Sequence, residues 1–207
     1  MLHRMHSSAV GQMKSLEVIA MTTLIHRALI CPQCRRPFWT PEISSCSYGG
    51  KDTDFRPQFW GMNPLPFFVH RCPRCSFIGH ATRFESCEEM PDEDMDALPF
   101  DPLDSGIQRY NDVALQMIKE GANKQEIGDA FLKAAWCARI DEDNDAEREA
   151  LRNAATWFAQ ALDEGLVEKG MEAVIAYLVG ELNRRIGEFD LAIEFFERAR
   201  QLPMHDE

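Results

Sequence analysis

Two pairs of cysteines have the residue type and spacing in this chain that are best suited to chemistry. They lie in CPQC at 31–34 and CPRC at 72–75. A two-residue spacing lets both sulfurs of a pair reach one ion, and two such turns supply the four ligands of a tetrahedral site. Proline after the first cysteine restricts each turn and lowers the entropic cost of closing it. The sequence therefore predicts one structural zinc ion bound by Cys31, Cys34, Cys72 and Cys75.

Two other chemistries use the same pairs. A CxxC can be a redox dithiol, but one pair would then be enough and the second would be unexplained. A rubredoxin-like iron site has similar geometry, so the spacing does not separate iron from zinc. Four cysteines leave no open position for water, which favours a role in folding over catalysis. The other three, Cys46, Cys87 and Cys137, are single, and an odd total without a secretion signal favours metal over a disulfide framework.

Other polar residues near the cysteine pairs invite a functional reading. His70 and His80 flank the second pair, and we interpret them as neighbours of the site or surface residues because four cysteines already complete it. Asp52 and Asp54, in KDTDF, could bind a cation or polarise a water molecule, and a place in a turn or at a strand edge is the plainer interpretation. The chain has no Gly-rich phosphate loop and no HExxH pair, so nothing in the sequence argues for an enzyme.

Charge is distributed unevenly along the chain. The 207 residues carry a net charge of -12, with ten Lys/Arg and four Asp/Glu in 1–84 but twelve Lys/Arg and thirty Asp/Glu in 85–207. The first part is therefore compatible with nucleic acid and the second, at -18, is a poor candidate for it. No run of about 18 or more apolar residues predicts a membrane span. We expect a cytoplasmic protein in which residues 1–24 form an N-terminal arm or helix.

The composition predicts an α+β protein with two modules. Residues 25–84 are rich in Pro, Gly, Cys and aromatic residues and predict a small zinc-ribbon-like module, with short strands at 67–69 and 80–84. Residues 85–104 contain nine acids, three prolines and no basic residue, which is typical of a linker. Helical periodicity takes over in 105–207.

Five helices are predicted near 106–119, 124–139, 145–163, 171–186 and 189–201, with glycines between them and with Asn123 and Asn144 as N-caps. Within them FLKAAWCAR at 131–139 aligns with YLVGELNRR at 177–185, an offset of 46. Two Ala-x3-Phe-x2-Ala motifs also align, which predicts tetratricopeptide-like helical hairpins. A plain helical bundle is the alternative.

Together these segments resemble a bacterial family of uncharacterised proteins. The resemblance rests on CPQC, KDTDF, Asn63-Pro64, CPRC, LKAAWCAR and YLVGELNRRIGEFDLAIEFF, and it extends over roughly residues 25–202. It implies the two-module architecture and no established reaction. Ser76 is one departure, since glycine is frequent after such a cysteine pair.

The leading functional hypothesis is a non-enzymatic, zinc-stabilised scaffold or adaptor whose helical module binds a protein partner. Helical hairpins stack to form a concave groove lined by their first helices. The candidate partner-binding residues are Tyr177, Glu181, Arg184, Arg185 and Arg139. An acidic side chain of a partner would explain the arginines, and pairing with Glu181 or Glu188 within the chain is the alternative.

Two further functions stay open at this point. Nucleic-acid binding by the basic module is the alternative to the adaptor. Its candidate phosphate contacts are Arg35, Arg36, Lys51, Arg56, Arg71, Arg74 and Arg83, beside Trp39, Phe59 and Trp60. An enzyme using the two aspartates of KDTDF and a histidine is the third. The sequence does not predict an oligomeric state.

Overall fold

The computed structural model describes residues 22–88 and 105–203. Its first part holds seven short strands and its second part five helices, so the expected mixture of small sheets and helices is confirmed. The predicted arm at 1–24 lies outside the described residues up to residue 21, and most of the predicted linker at 85–104 does as well. No described helix is long and apolar enough to cross a membrane.

Seven strands form three small antiparallel sheets. The first has the order β2-β1-β7, from β1 (Thr23–Ile30), β2 (Pro37–Ser45) and β7 (Glu85–Ser86). The second pairs β3 (Tyr48–Lys51) with β4 (Pro57–Phe59), and the third pairs β5 (Val69–Arg71) with β6 (Ile78–His80). Each cysteine pair lies in a turn between two paired strands, β1 to β2 and β5 to β6. Strand β7 uses the first two residues of the predicted linker.

The strands predicted at 67–69 and 80–84 are wrong in part. Leu65–Phe68 and Ala81–Arg83 are short 3-10 helices, and only Val69 and His80 of the predicted segments belong to strands. The cause of the first error is local. The Asn63 side chain accepts a hydrogen bond from the Leu65 backbone N–H at 3.1 Å and starts a turn that runs through two prolines, Pro64 and Pro66.

The five helices lie where the periodicity predicts them: α1 (Gly106–Glu120), α2 (Lys124–Ile140), α3 (Asn144–Asp163), α4 (Glu172–Ile186) and α5 (Phe189–Gln201). Gly121 and Gly187 end α1 and α4 in the left-handed conformation, with φ of 68° and 89°. Asn123 caps α2 as expected. The predicted cap at Asn144 is wrong by one residue, because the Asp143 carboxylate accepts the Ala146 N–H instead.

Consecutive helices pack as antiparallel neighbours, and small residues let them approach closely. A Cβ added to Gly128 would lie 2.9 Å from the Phe158 ring, and one added to Gly180 would lie 2.7 Å from the Phe196 ring. Each hairpin therefore packs an aromatic ring over a glycine of its partner helix.

The main hydrophobic core spans both parts of the chain. Leu65, Val69 and Ile78 are buried in the same cluster as the apolar side chains of α1 to α4. Tyr110, on α1, donates a hydrogen bond to the Leu65 carbonyl at 2.9 Å, and Arg109 donates to the Val69 carbonyl at 3.2 Å. A smaller cluster surrounds the cysteines. Helix α1 thus attaches the cysteine-bearing sheets to the helical hairpins.

Candidate functional site

The four sulfurs of the two cysteine pairs converge on one point. Their Sγ atoms all lie within 4.8 Å of one another, with Cys31 to Cys75 at 3.5 Å and Cys34 to Cys72 at 3.6 Å. Four thiolates around a zinc ion at about 2.3 Å would be about 3.8 Å apart, so this cluster fits the ion. We call it the four-cysteine cluster.

The two turns that carry the cysteines have the same backbone design. In the first, the N–H of residue 35 donates to the Cys31 carbonyl at 2.9 Å; in the second, the N–H of residue 76 donates to the Cys72 carbonyl at 2.9 Å. The strand that follows then closes each turn, through bonds from Cys31 to the Arg36 carbonyl and from Cys72 to the Phe77 carbonyl. Residues 31–36 and 72–77 are therefore two copies of one turn, each of which presents a pair of cysteines to the same point.

Burial disfavours an unpaired thiolate in the four-cysteine cluster. Cys31 and Cys72 are almost fully buried, and Leu29, Phe38, Phe77 and Phe84 pack around them. Burial raises the pKa of the Cys72 thiol to about 12. A thiolate at this position therefore needs a nearby cation, which is what a bound metal ion supplies.

Both turns hold a non-glycine residue in the left-handed conformation directly after the second cysteine. Arg35 has a φ of 59° and Ser76 a φ of 62°. Side chains with a Cβ are strained there by roughly 1–2 kcal/mol. Arg35 also pairs with Glu85 at 2.6 Å, whereas the Ser76 side chain is exposed.

Replacing Ser76 with glycine is therefore expected to stabilise the protein, by about 1 kcal/mol, because glycine adopts this conformation without strain. The midpoint of urea unfolding of the metal-loaded protein measures the effect. Ser47→Gly, outside such a turn, is the control and should give no gain. A lower midpoint for Ser76→Gly would contradict the strain assigned to this turn.

The two histidines near the second pair are not part of the cluster. His70 is fully buried, and its Nδ1 lies 3.0 Å from the Thr40 hydroxyl. Burial lowers the pKa of His70 to about 4, so the ring is neutral. Among the residues that the structure describes, the four-cysteine cluster is the one group of three or more His, Cys, Asp or Glu side chains with metal-binding geometry.

Asp52 and Asp54 of KDTDF take part in a second group of interacting polar side chains, whose contacts the sequence did not predict. They lie in the tip, Asp52–Arg56, of the hairpin formed by β3 and β4. We call residues Tyr48–Phe59 the acidic hairpin after its two aspartates, although Lys51 and Arg56 bring its net charge to zero. Asp54 is fully buried and faces the helices. Its carboxylate accepts hydrogen bonds from the Arg139 guanidinium at 2.7 and 3.2 Å and from the Trp136 indole N–H at 3.2 Å. Arg185 lies 3.6 Å from the same carboxylate. We call Trp136, Arg139 and Arg185 the arginine clamp.

Neighbouring carboxylates complete the charge balance around the clamp. Arg139 also donates to Asp52 at 3.1 Å and to Glu147 at 2.6 Å. Burial alone would raise the pKa of Asp52, but hydrogen bonds from Gln58 and Arg56 hold it at about 2. The network therefore joins the acidic hairpin to α2 and α3 through ionised groups.

Helix α4 reaches the same hairpin through Glu181. This buried carboxylate accepts a hydrogen bond from the Thr53 hydroxyl at 2.5 Å and pairs with Arg184 at 2.7 Å and Arg185 at 3.0 Å. Beside it, the rings of Phe55 and Tyr177 are 5.8 Å apart.

All five residues predicted to bind a partner thus lie around the tip of the acidic hairpin and contact one another or the hairpin. Pairing within the chain, the alternative that the sequence left open, is what the structure contains for Arg184 and Arg185. Binding of a partner there stays a prediction. The repeat alignment carried the signal, because it places Arg139 and Arg185 at equivalent positions.

Several cations of the nucleic-acid hypothesis are also paired within the chain. The pairs are Arg35 with Glu85, Arg56 with Asp52, Arg71 with Asp112, and Arg83 with Glu120. Each pair neutralises a charge that phosphate contacts would need.

Comparison with known proteins places the chain in a family. The model of a family described as "Uncharacterized protein conserved in bacteria (DUF2225)" matches residues 24–98 and 100–207. The chain belongs to this family. Both the four-cysteine cluster and the arginine clamp lie inside the matched residues. No significant match is found among the curated proteins or among the solved structures.

Proposed function

We propose that the protein is a zinc-stabilised, non-enzymatic adaptor of the cytoplasm that holds a protein partner on its tetratricopeptide-like helical hairpins. The four-cysteine cluster binds one Zn²⁺ ion, which stabilises the zinc-ribbon-like fold. Its role is structural because four sulfurs fill the coordination sphere and the cluster is largely buried.

The observation that carries the adaptor function is an open apolar groove on the helical module. It has a volume of about 660 Å³ and is lined mainly by α4 and α5. Tyr177, Phe196, Ala199 and Leu202 form its walls, and Phe55 of the acidic hairpin closes one side. Aliphatic and aromatic walls of this size accommodate side chains of a bound polypeptide.

Helix α5 also exposes large apolar side chains outside the groove. Phe189, Leu191 and Ile193 are exposed there, at 62%, 45% and 56%. Large apolar side chains grouped on one helix are typical of a surface that a partner covers.

Filling the groove tests the adaptor function. Ala199→Tyr places a large side chain between the walls, whereas Thr156→Tyr places the same side chain on the exposed surface of α3. In affinity capture from the native cell with quantitative mass spectrometry, we expect a protein captured by the wild type and by Thr156→Tyr to fall at least tenfold with Ala199→Tyr. Equal capture by both variants, at equal helical content, would remove this groove from the binding site.

Nucleic-acid binding remains the alternative function, and the ion pairs of the basic module count against it. Nuclease treatment of the lysate separates the two functions, because capture through nucleic acid would be lost and capture by the groove would persist.

A further inference from the structure

The arginine clamp is built from equivalent positions of two successive helical hairpins. Arg139 lies in the last turn of α2, and Arg185, at the repeat offset of 46, lies in the last turn of α4. Both guanidinium groups and the Trp136 indole face one buried carboxylate, that of Asp54. Such a group of donors is a binding site for a carboxylate, and here the chain itself supplies the occupant.

The occupant is attached to the rest of the protein at its tip and through Phe59, which packs against the main hydrophobic core. In the described sheets β3 and β4 pair only with each other, and their register is irregular. The tip also holds Phe55 at a φ of 66°, in the left-handed conformation that costs a residue with a Cβ roughly 1–2 kcal/mol.

Open surface continues on both sides of the tip. On one side lies the 660 Å³ groove, and on the other lies a cavity of about 440 Å³ lined by α2 and α4, including Leu132, Val174 and Leu178. Phe55 lines both. The hairpin tip therefore lies in the middle of one extended face of the helical module.

Charge limits which segment this face would hold. Residues 85–207 carry a net charge of -18, so most of the module repels an acidic polypeptide. The arginine clamp is the buried exception, and its present ligand is the sequence Asp-Thr-Asp-Phe. The carboxylate of such a segment satisfies the guanidinium groups, and the aromatic ring that follows it packs against Tyr177.

We infer that the clamp recognises an acidic segment of the partner with an Asp-x-Asp-aromatic chemistry, and that the acidic hairpin occupies this site in the free protein. The partner segment and the hairpin compete for the same donors, so the hairpin is an intramolecular inhibitor of binding. This inference rests on the proposed adaptor function and names the partner's chemistry.

A peptide of residues 48–59, acetylated, amidated and labelled with a fluorophore, tests the competition. Asp54→Ala removes the buried carboxylate that the clamp binds, while Arg139 keeps its contacts with Asp52 and Glu147. By fluorescence anisotropy we expect the full-length Asp54→Ala variant to bind the peptide at least tenfold more tightly than the wild type does. Binding should disappear in Asp54→Ala/Arg139→Ala and with a peptide in which asparagine replaces the residue equivalent to Asp54. Absence of peptide binding to Asp54→Ala would overturn the inference.

A second measurement covers the case in which Asp54→Ala does not fold. Saturating peptide should raise amide exchange in residues 48–59 of the wild-type protein at least tenfold, because the hairpin leaves the clamp, and unchanged exchange there would also overturn the inference. If Ala199→Tyr loses a captured partner but the peptide does not bind Asp54→Ala, the adaptor function stands and this inference fails. The partner would then be recognised by a different chemistry. Failure of both experiments would end both proposals.

Discussion

Replacing Cys72 with serine is expected to abolish stoichiometric metal binding and to unfold the cysteine-bearing sheets. Structural zinc contributes on the order of 10 kcal/mol to folding, which is comparable to the whole stability of a typical domain. Cys72 is 1% exposed, and its sulfur lies 3.6 Å from that of Cys34, so its loss opens the site at its centre.

The effect should be uneven along the chain. Helices α2 to α5 bury large side chains among themselves, including Leu151, Phe158 and Leu182, and should keep most of the helical circular dichroism. Amide exchange in β1, β2, β5 and β6, which flank the cysteine pairs, should rise to the unprotected rate. Helix α1 is expected to lose part of its protection, because Tyr110 and Arg109 bond to that region.

Cys46→Ser is the matched control, since Cys46 lies outside the cluster and should retain the metal. Metal retained at one equivalent in Cys72→Ser would show that the cluster is not the site. Loss of all helical signal would show instead that the two parts of the chain fold as one unit.

Replacing Arg139 with alanine is expected to destabilise the protein by about 3–5 kcal/mol, because the fully buried Asp54 carboxylate then loses its closest cation and keeps only Arg185, at 3.6 Å. Arg139 contacts Asp52, Asp54 and Glu147, and Asp54 is fully buried. Urea unfolding followed by tryptophan fluorescence measures the change, and Trp136 reports on this contact directly.

Arg198→Ala is the control for the second prediction. Its partner, Asp163, is at 2.8 Å, but both side chains are substantially exposed, so a loss below about 1 kcal/mol is expected. The double variant Asp54→Ala/Arg139→Ala should recover part of the loss, because both charges are then removed. A loss for Arg139→Ala no larger than that for Arg198→Ala would show that the clamp does not join the two parts of the chain.

Local signals in the sequence were sufficient for the helices and for the cysteines. Helical periodicity and the glycines place all five helices to within two residues at each end. The spacing in CPQC and CPRC also identifies the four sulfurs that converge. Each cysteine-bearing turn is a local structure, and two such turns supply the four ligands of one ion.

The role of Asp54 could not be predicted from the sequence, because its hydrogen-bonding partners are far from it along the chain. Trp136 and Arg139 follow it by 82 and 85 residues, and no local pattern links a turn aspartate to a helix end so far away. The same limit applies to Leu65 and Val69, whose burial against the helices depends on tertiary packing. The family resemblance indicated that KDTDF and LKAAWCAR occur together in such proteins, but it did not indicate that the two segments are in contact.

Metal analysis of the purified full-length protein tests the central claim most directly. Elemental analysis combined with X-ray absorption at the metal edge should find one zinc ion per chain, bound by four sulfurs at about 2.3 Å. Substoichiometric metal, iron in place of zinc, or nitrogen and oxygen ligands would contradict the account.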